Sequence, residues 1–60
     1  MDKIVKYILE NNLYDSAVSL MDEEIREELH NELAPCTDRE FLEAYMERHE
    51  EKYNSVWIFN

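Results

Sequence analysis

The chain contains no glycine. Left-handed backbone positions must therefore fall to asparagine or aspartate, and Asn11, Asn12, Asn31 and Asn54 are the candidates. The same absence disfavours tight hairpins and the glycine-rich loops that wrap phosphates. There is one proline, Pro35, and one cysteine, Cys36. A single thiol excludes an internal disulfide and fits a reducing, intracellular setting. No apolar run approaches the ~20 residues that a membrane helix needs. Charges interrupt every early apolar stretch, so nothing resembles a signal peptide. The expectation is a soluble, cytoplasmic protein with no membrane association.

Bases are the other scarcity. Fifteen acids face six bases among sixty residues, for a formal net charge of −9. Between Asp22 and Glu51 stand twelve acids against three bases, Arg26, Arg39 and Arg48, which accounts for the whole of that charge. Such a field repels nucleic acid and anionic membrane and attracts basic surfaces. No direct nucleic-acid partner is therefore expected. A chain this short buries only roughly 60% of its unfolded surface, so its core is thin. Small scaffolds usually compensate with disulfides, metal or oligomerisation.

What is abundant favours helix: Glu, Leu, Met, Lys and Arg. The longest amphipathic stretch runs from Thr37 to Tyr53. Taking ~100° per residue from Phe41, the side chains of Leu42, Tyr45, Met46, His49 and Tyr53 fall within an arc of about 140°. Glu40, Glu43, Glu47, Glu50 and Glu51 fall on the opposite face, between about 180° and 280°. Thr37 and Glu40 have the spacing of a capping box. Pro35 disfavours helix at Ala34 and so ends the element before it. Asn54 suits the left-handed residue past a helix end.

Upstream, Ile4, Val5, Ile8 and Leu9 share one helical face behind Asp2, a candidate cap, and Asn11-Asn12 breaks the helix. Leu13, Ala17, Leu20 and Met21 recur at helical spacing, with Asn12 or Asp15 as cap. Asp22 is placed to cap a further helix that carries Ile25, Leu29 and Leu33 along one side. The second and third helices could also run together with a bend near Met21-Asp22. The prediction is all-α: a single helical domain over residues 1–60, a three- or four-helix bundle with helices at about 3–10, 13–21, 23–33 and 38–53. Its core draws on Ile4, Val5, Ile8, Leu13, Ala17, Leu20, Met21, Ile25, Leu29, Leu33, Phe41, Leu42, Tyr45 and Met46. An extended apolar tail follows over residues 55–60. Val56, Trp57, Ile58 and Phe59 are strand-like in type, and both directions of an extended backbone need cover. The tail either lies across its own bundle or joins a second copy in a homodimer.

Catalytic chemistry finds little support. Acid–base catalysis needs a carboxylate whose environment shifts its pKa, and these glutamates sit away from the core on a chain too small for a deep cleft. Glu27 and His30 have the Glu-x-x-His spacing of helical di-iron sites, but Met46 stands where a second copy before His49 would need Glu. Cys36, His30 and His49 are too scattered for a zinc motif. No metal, cofactor or catalytic residue is expected. Cys36 lies in acidic surroundings that work against a thiolate, and is expected to be a partly buried linker thiol. Tyrosines and Trp57 could stack on single-stranded nucleic acid, but that mode needs a basic groove, so they are expected to pack.

The acidic ladder is the remaining feature. Its carboxylates recur every ~5–6 Å along the helix, against one phosphate per ~3.4 Å of axis for each strand of a duplex. The ladder is sparser than a phosphate backbone but matches it in sign and rough regularity. An acidic face also serves plain solubility, and that reading stays open.

Asn12-Leu13-Tyr14-Asp15, Ala34-Pro35-Cys36-Thr37, Phe41-Leu42-Glu43-Ala44-Tyr45 and His49-Glu50-Glu51-Lys52 together resemble short acidic proteins of bacterial phages and conjugative elements. The resemblance covers most of the chain and brings no catalytic residues with it. Small acidic proteins of such elements include inhibitors of restriction and CRISPR nucleases, several acting as DNA mimics. The resemblance implies a non-enzymatic protein that binds a basic surface, such as the groove of a nucleic-acid-binding enzyme. Glu40, Glu43, Glu47, Glu50 and Glu51 would make the contacts, aided by Glu24, Glu27 and Glu28. The alternative is a self-associating helical accessory subunit that dimerises through Val56, Trp57, Ile58 and Phe59.

Overall fold

Helix α1 spans Lys3–Glu10 and buries Val5 and Ile8, one turn apart on its apolar face. Asn12 ends it. With φ at 54°, this residue takes the left-handed conformation that a glycine would otherwise supply. The turn lets the Leu13 amide donate to the Ile8 carbonyl at 2.9 Å and the Asn12 amide donate to the Leu9 carbonyl at 3.4 Å. That pair of bonds satisfies two carbonyls which the helix end would leave bare. The computed structural model describes residues 3–58. The proposed cap Asp2 and the tail residue Phe59 lie outside the described residues.

Helix α2 covers only Tyr14–Ser19. Neither expected cap serves it. Leu13 occupies the cap position without a side-chain bond, because Asn12 is spent on the left-handed turn and Asp15 falls inside the first helical turn. The far end tightens: the Leu20 amide donates to the Ala17 carbonyl at 3.1 Å and the Met21 amide to the Val18 carbonyl at 3.2 Å. This contraction shifts the register by which Leu20 was expected in the core. Leu20 is 60% exposed, and Met21 alone turns inward.

Helix α3, Glu23–Leu33, begins where Asp22 caps it, the carboxylate accepting from the Ile25 amide at 3.1 Å. It stops at Ala34, whose ψ of 138° is the extended conformation that a following proline imposes. The Ala34-Pro35 bond is cis. Helix α4, Asp38–Tyr53, starts with a complete capping box. The Thr37 hydroxyl accepts from the Glu40 amide at 3.1 Å, and Glu40 Oε1 accepts from the Thr37 amide at 3.1 Å. The helix ends at Asn54, left-handed at φ 56°. Among the described residues there is no strand, so the architecture is an all-α bundle of four helices.

Helices α3 and α4 run antiparallel. Residues near the end of α4 meet the start of α3, as Lys52 does Asp22, while Arg48 meets Glu32 further along. Val5, Ile8, Ala17, Ile25 and Leu42 are fully buried between the helices, joined by Met21, Leu29, Phe41, Tyr45 and Met46. Ile4, Leu13 and Leu33 pack against this cluster only partly buried. One core member comes from the tail. Trp57 is buried, its ring edge-on to Tyr45 with centroids 4.9 Å apart. The tail thus lies across its own bundle at Trp57, while Val56 and Ile58 remain exposed.

Candidate functional site

The tie between α3 and α4 fixes the surface chemistry. At its buried end is Tyr45, whose hydroxyl accepts from the Asp22 amide at 2.8 Å. Burial first, and the nearby Asp22 charge as well, raise this phenol above its ordinary value, although the Asp22 amide bond works the other way. The Asp22 carboxylate also accepts from the Tyr53 hydroxyl and faces Lys52 Nζ at 3.6 Å. The Tyr53 hydroxyl, then the Ile25 amide and the Lys52 charge, hold Asp22 below its ordinary value. Reciprocally, the bond to Asp22 raises the Tyr53 phenol.

Further along the seam the helices exchange charge. Arg48 reaches from α4 to α3 and holds Glu32 with both terminal nitrogens, at 2.9 and 3.4 Å. Its Nη1 also lies 3.7 Å from Glu28. Lys52 stands 3.6 Å from Glu24. Glu24, Glu28 and Glu32 recur at four-residue steps, so one edge of α3 presents all three to α4. The Arg48 hydrogen bond and charge lower the Glu32 carboxyl, and Glu32 raises Arg48 in return. Burial opposes the charge on Lys52, but Asp22 and Glu24 outweigh it and the net shift is upward. Exposed ion pairs of this kind add little stability; they fix where the side chains lie.

All eight glutamates singled out from sequence are exposed. The structure gathers some and separates others. Glu24 and Glu28 flank the seam, while Glu47 and Glu51 stand on its α4 side. Glu32, Glu47, Arg48 and Glu51 share a shallow hollow of about 200 Å³ floored by Leu29, Leu33 and Ala44. Glu43 pairs with Arg39 at 3.6 Å one turn back on the same helix. Glu40 is engaged in the capping box, which lowers its carboxyl through bonds from the Thr37 amide and hydroxyl. Glu50 lies exposed with no ion pair among the described residues. Glu27 is on the far flank of α3 and lines a different groove.

Glu32 was missed from sequence. Its signal in the sequence is the four-residue series with Glu24 and Glu28. Arg48 and Lys52, near the end of α4, bridge to α3. Around these two bases stand six carboxylates, Asp22, Glu24, Glu28, Glu32, Glu47 and Glu51, so the seam keeps an excess of negative charge.

His49 sits at the core edge between Tyr45 and Tyr53. Its Nδ1 is 3.1 Å from the Ser55 carbonyl, and a carbonyl only accepts, so Nδ1 carries the proton and donates. His30 is exposed. Cys36, expected to be partly buried, is exposed, because the extended Ala34-Pro35 linker passes outside the helices. Among the described residues no three His, Cys, Asp or Glu side chains converge to hold a metal ion. No helix among them is long and apolar enough to cross a membrane.

Fold and surface together define a class: a small, wholly helical protein whose outer chemistry is a dense array of carboxylates over a thin apolar core. The particular family follows from the sequence pattern. The model of the family described as Anti-CRISPR protein AcrIC5 matches residues 1–57, and the chain belongs to that family. No curated protein and no solved structure matches it.

Proposed function

We propose that this protein is a non-enzymatic CRISPR inhibitor that seats the acidic face of α3 and α4 in a basic, nucleic-acid-binding groove of its target. The observation that carries the reading is the charge excess along the seam. Three bases pair on this face, Arg48 and Lys52 across the two helices and Arg39 with Glu43, and the surrounding carboxylates outnumber them. Membership of an anti-CRISPR family makes the target a protein of a CRISPR system, and such proteins must hold nucleic acid through Lys and Arg.

The dimensions suit that role. Helix α4 has sixteen residues, and at ~1.5 Å per residue it is ~24 Å long, the axial length of about seven nucleotide steps of a duplex. Its carboxylates, and those of α3 beside it, are held on a rigid scaffold by the capping box and by Arg48. Fixed charges lose less entropy on docking than charges on a loose chain. The contacts would come from Glu24, Glu28, Glu43, Glu47, Glu50 and Glu51, with Glu32 added by the structure and Glu40 and Glu27 toward the margins. The cytoplasmic location expected from sequence belongs with this reading.

A competition measurement tests it. The target is the CRISPR effector whose interference this protein blocks in a phage-plating panel. With that effector purified, saturating inhibitor is expected to abolish binding of fluorescent target DNA, and excess DNA to release labelled inhibitor. Simultaneous binding of both at saturation would defeat the proposal.

A further inference from the structure

Arg48 is the anomaly of the acidic face. By charge alone, a base set among these carboxylates works against docking in a basic groove. Its geometry points the other way. Both terminal nitrogens hold Glu32, at 2.9 and 3.4 Å, and Nη1 stands 3.7 Å from Glu28. The guanidinium also lies deeper than the acids it holds. Its side chain is 34% exposed, against 51% for Glu28 and 52% for Glu32, so a docking partner meets the carboxylates first. The fork crosses the antiparallel seam, and it ties the α3 acids to the helix that carries Glu47 and Glu51. The other pairings are looser. Arg39 reaches only to Glu43 on its own helix, at 3.6 Å. Lys52 is a point charge 3.6 Å from each of Asp22 and Glu24, with no planar fork to fix either.

Two effects of Arg48 on docking oppose each other. A like charge brought to ~4 Å from a target base in water weakens binding about fivefold. Arg48 is covered and already matched by Glu32, so its repulsion falls short of that. On the other side, a long side chain ordered before docking spares the roughly two- to twelvefold loss that ordering it on docking would cause. Glu28 and Glu32 together then gain roughly five- to a hundredfold, and ordering outweighs repulsion. We infer that Arg48 is a positioning residue of the acidic face: a base that strengthens binding to a basic target by holding Glu28 and Glu32 where that target meets them. The inference rests on the proposed docking of the acidic face, and it assigns Arg48 an effect opposite in sign to its charge.

That sign makes the test direct. Affinity for the same purified effector would be measured at about 0.15 M NaCl, where exposed charges are only partly screened. Arg48→Met keeps an unbranched stem and removes both charge and fork. Exposed ion pairs add little stability, so the variant should keep the wild-type helix signal and thermal midpoint. Although more negative than wild type, it should bind at least about threefold more weakly. Equal or tighter binding overturns the inference. The same substitution would then be made in a protein carrying Glu28→Gln and Glu32→Gln. With no carboxylates left to position, Arg48→Met should cease to weaken binding and should tighten it by up to about fivefold. An undiminished loss in that background would mean that Arg48 does not act through these two acids, and would also overturn the inference. Glu47→Gln with Glu51→Gln separates this idea from the reading beneath it. Wild-type affinity in that variant sinks the acidic face and the role of Arg48 with it. Weakened binding there, beside undiminished binding in Arg48→Met, sinks the role of Arg48 alone.

Discussion

Removing the Trp57 ring should cost this protein most of its stability. Trp57 is 8% exposed and reaches the core from beyond the last helix. A tryptophan side chain carries ~200 Å² of surface, so at ~25 cal/mol per Å² its burial is worth at most about 5 kcal/mol. Edge-on contact with Tyr45 adds about 1 kcal/mol. Against this, an undocked tail regains backbone freedom of ~1–2 kcal/mol per residue, about 2–4 kcal/mol for Val56 and Trp57 together. The balance for Trp57→Ala is a loss of about 2–4 kcal/mol, near the whole of the ~3–5 kcal/mol that a core of this size supplies. With a urea slope of about 1 kcal/mol per M, the midpoint followed by far-ultraviolet circular dichroism should fall by about 2–4 M. Trp57→Phe should recover more than half of the loss. Because Trp57 is the only tryptophan, its fluorescence in the wild-type protein should change in the same transition as the helix signal. A Trp57→Ala midpoint within about 0.5 M of wild type would refute the reasoning, since the slope makes that a loss of only about 0.5 kcal/mol. It would mean that the tail contributes nothing to the core.

Three further outcomes follow from the same contacts. Thr37→Ala opens the capping box and should cost about 1 kcal/mol, read as a thermal midpoint lower by about 4–8 °C; an unchanged midpoint would show the box to be ornamental. Tyr45→Phe leaves the Asp22 amide without its acceptor and should cost about 1–3 kcal/mol at neutral pH. Because the folded-state Tyr45 phenol lies above its ordinary 10.0, its share of stability holds below that pH and is lost as pH rises through the raised value. The Phe variant should therefore lose less than wild type between about pH 10 and 12, and parallel curves there would contradict the assignment. Asp22 is the reverse case: its folded-state value lies below the ordinary 3.8. Its contribution is present above that pH and lost as pH falls through the depressed value. The stability gap between wild type and Asp22→Asn should thus be wide at about pH 6 and narrow as pH falls below the ordinary 3.8; a gap that widens with acid would be the wrong sign.

Much of the fold was legible because local signals agreed with the global arrangement. Thr37 and Glu40 announced the start of α4, Asp22 the start of α3, and Asn54 a left-handed stop. All five fully buried residues of the helix faces, Val5, Ile8, Ala17, Ile25 and Leu42, follow simple helical spacing. The errors arose where a residue served two patterns. Asn12 could cap α2 or turn left-handed after α1, and the second use satisfied more backbone groups. Leu20 matched the period of α2, but the helix had already tightened, and only Met21 turned inward.

The surface was harder to read. Periodicity separates an acidic face from an apolar one, but it does not say which face meets another helix. The joining of Glu24, Glu28 and Glu32 to Arg48 and Lys52 depends on the antiparallel packing of α3 on α4, a long-range fact absent from any single helical wheel. The groove lined by Glu27 is hidden for the same reason. His30 and Arg26 lie on α3, Tyr14 and Val18 on α2, and Pro35 between helices; only the fold brings them to one place. Cys36 was expected to be a partly buried linker thiol, yet an extended linker outside the bundle leaves it exposed.

The central claim is that fixed negative charge on α3 and α4 holds the target. Its most direct measurement is the affinity for the inhibited CRISPR effector as a function of salt. Wild-type protein would be compared with a variant in which Glu28, Glu32, Glu47 and Glu51 are all changed to Gln. Wild-type binding is predicted to weaken by at least about tenfold between about 0.05 and 0.3 M NaCl, with a markedly shallower dependence in the variant. Equal affinity at all salt concentrations, shared by both proteins, would contradict the account.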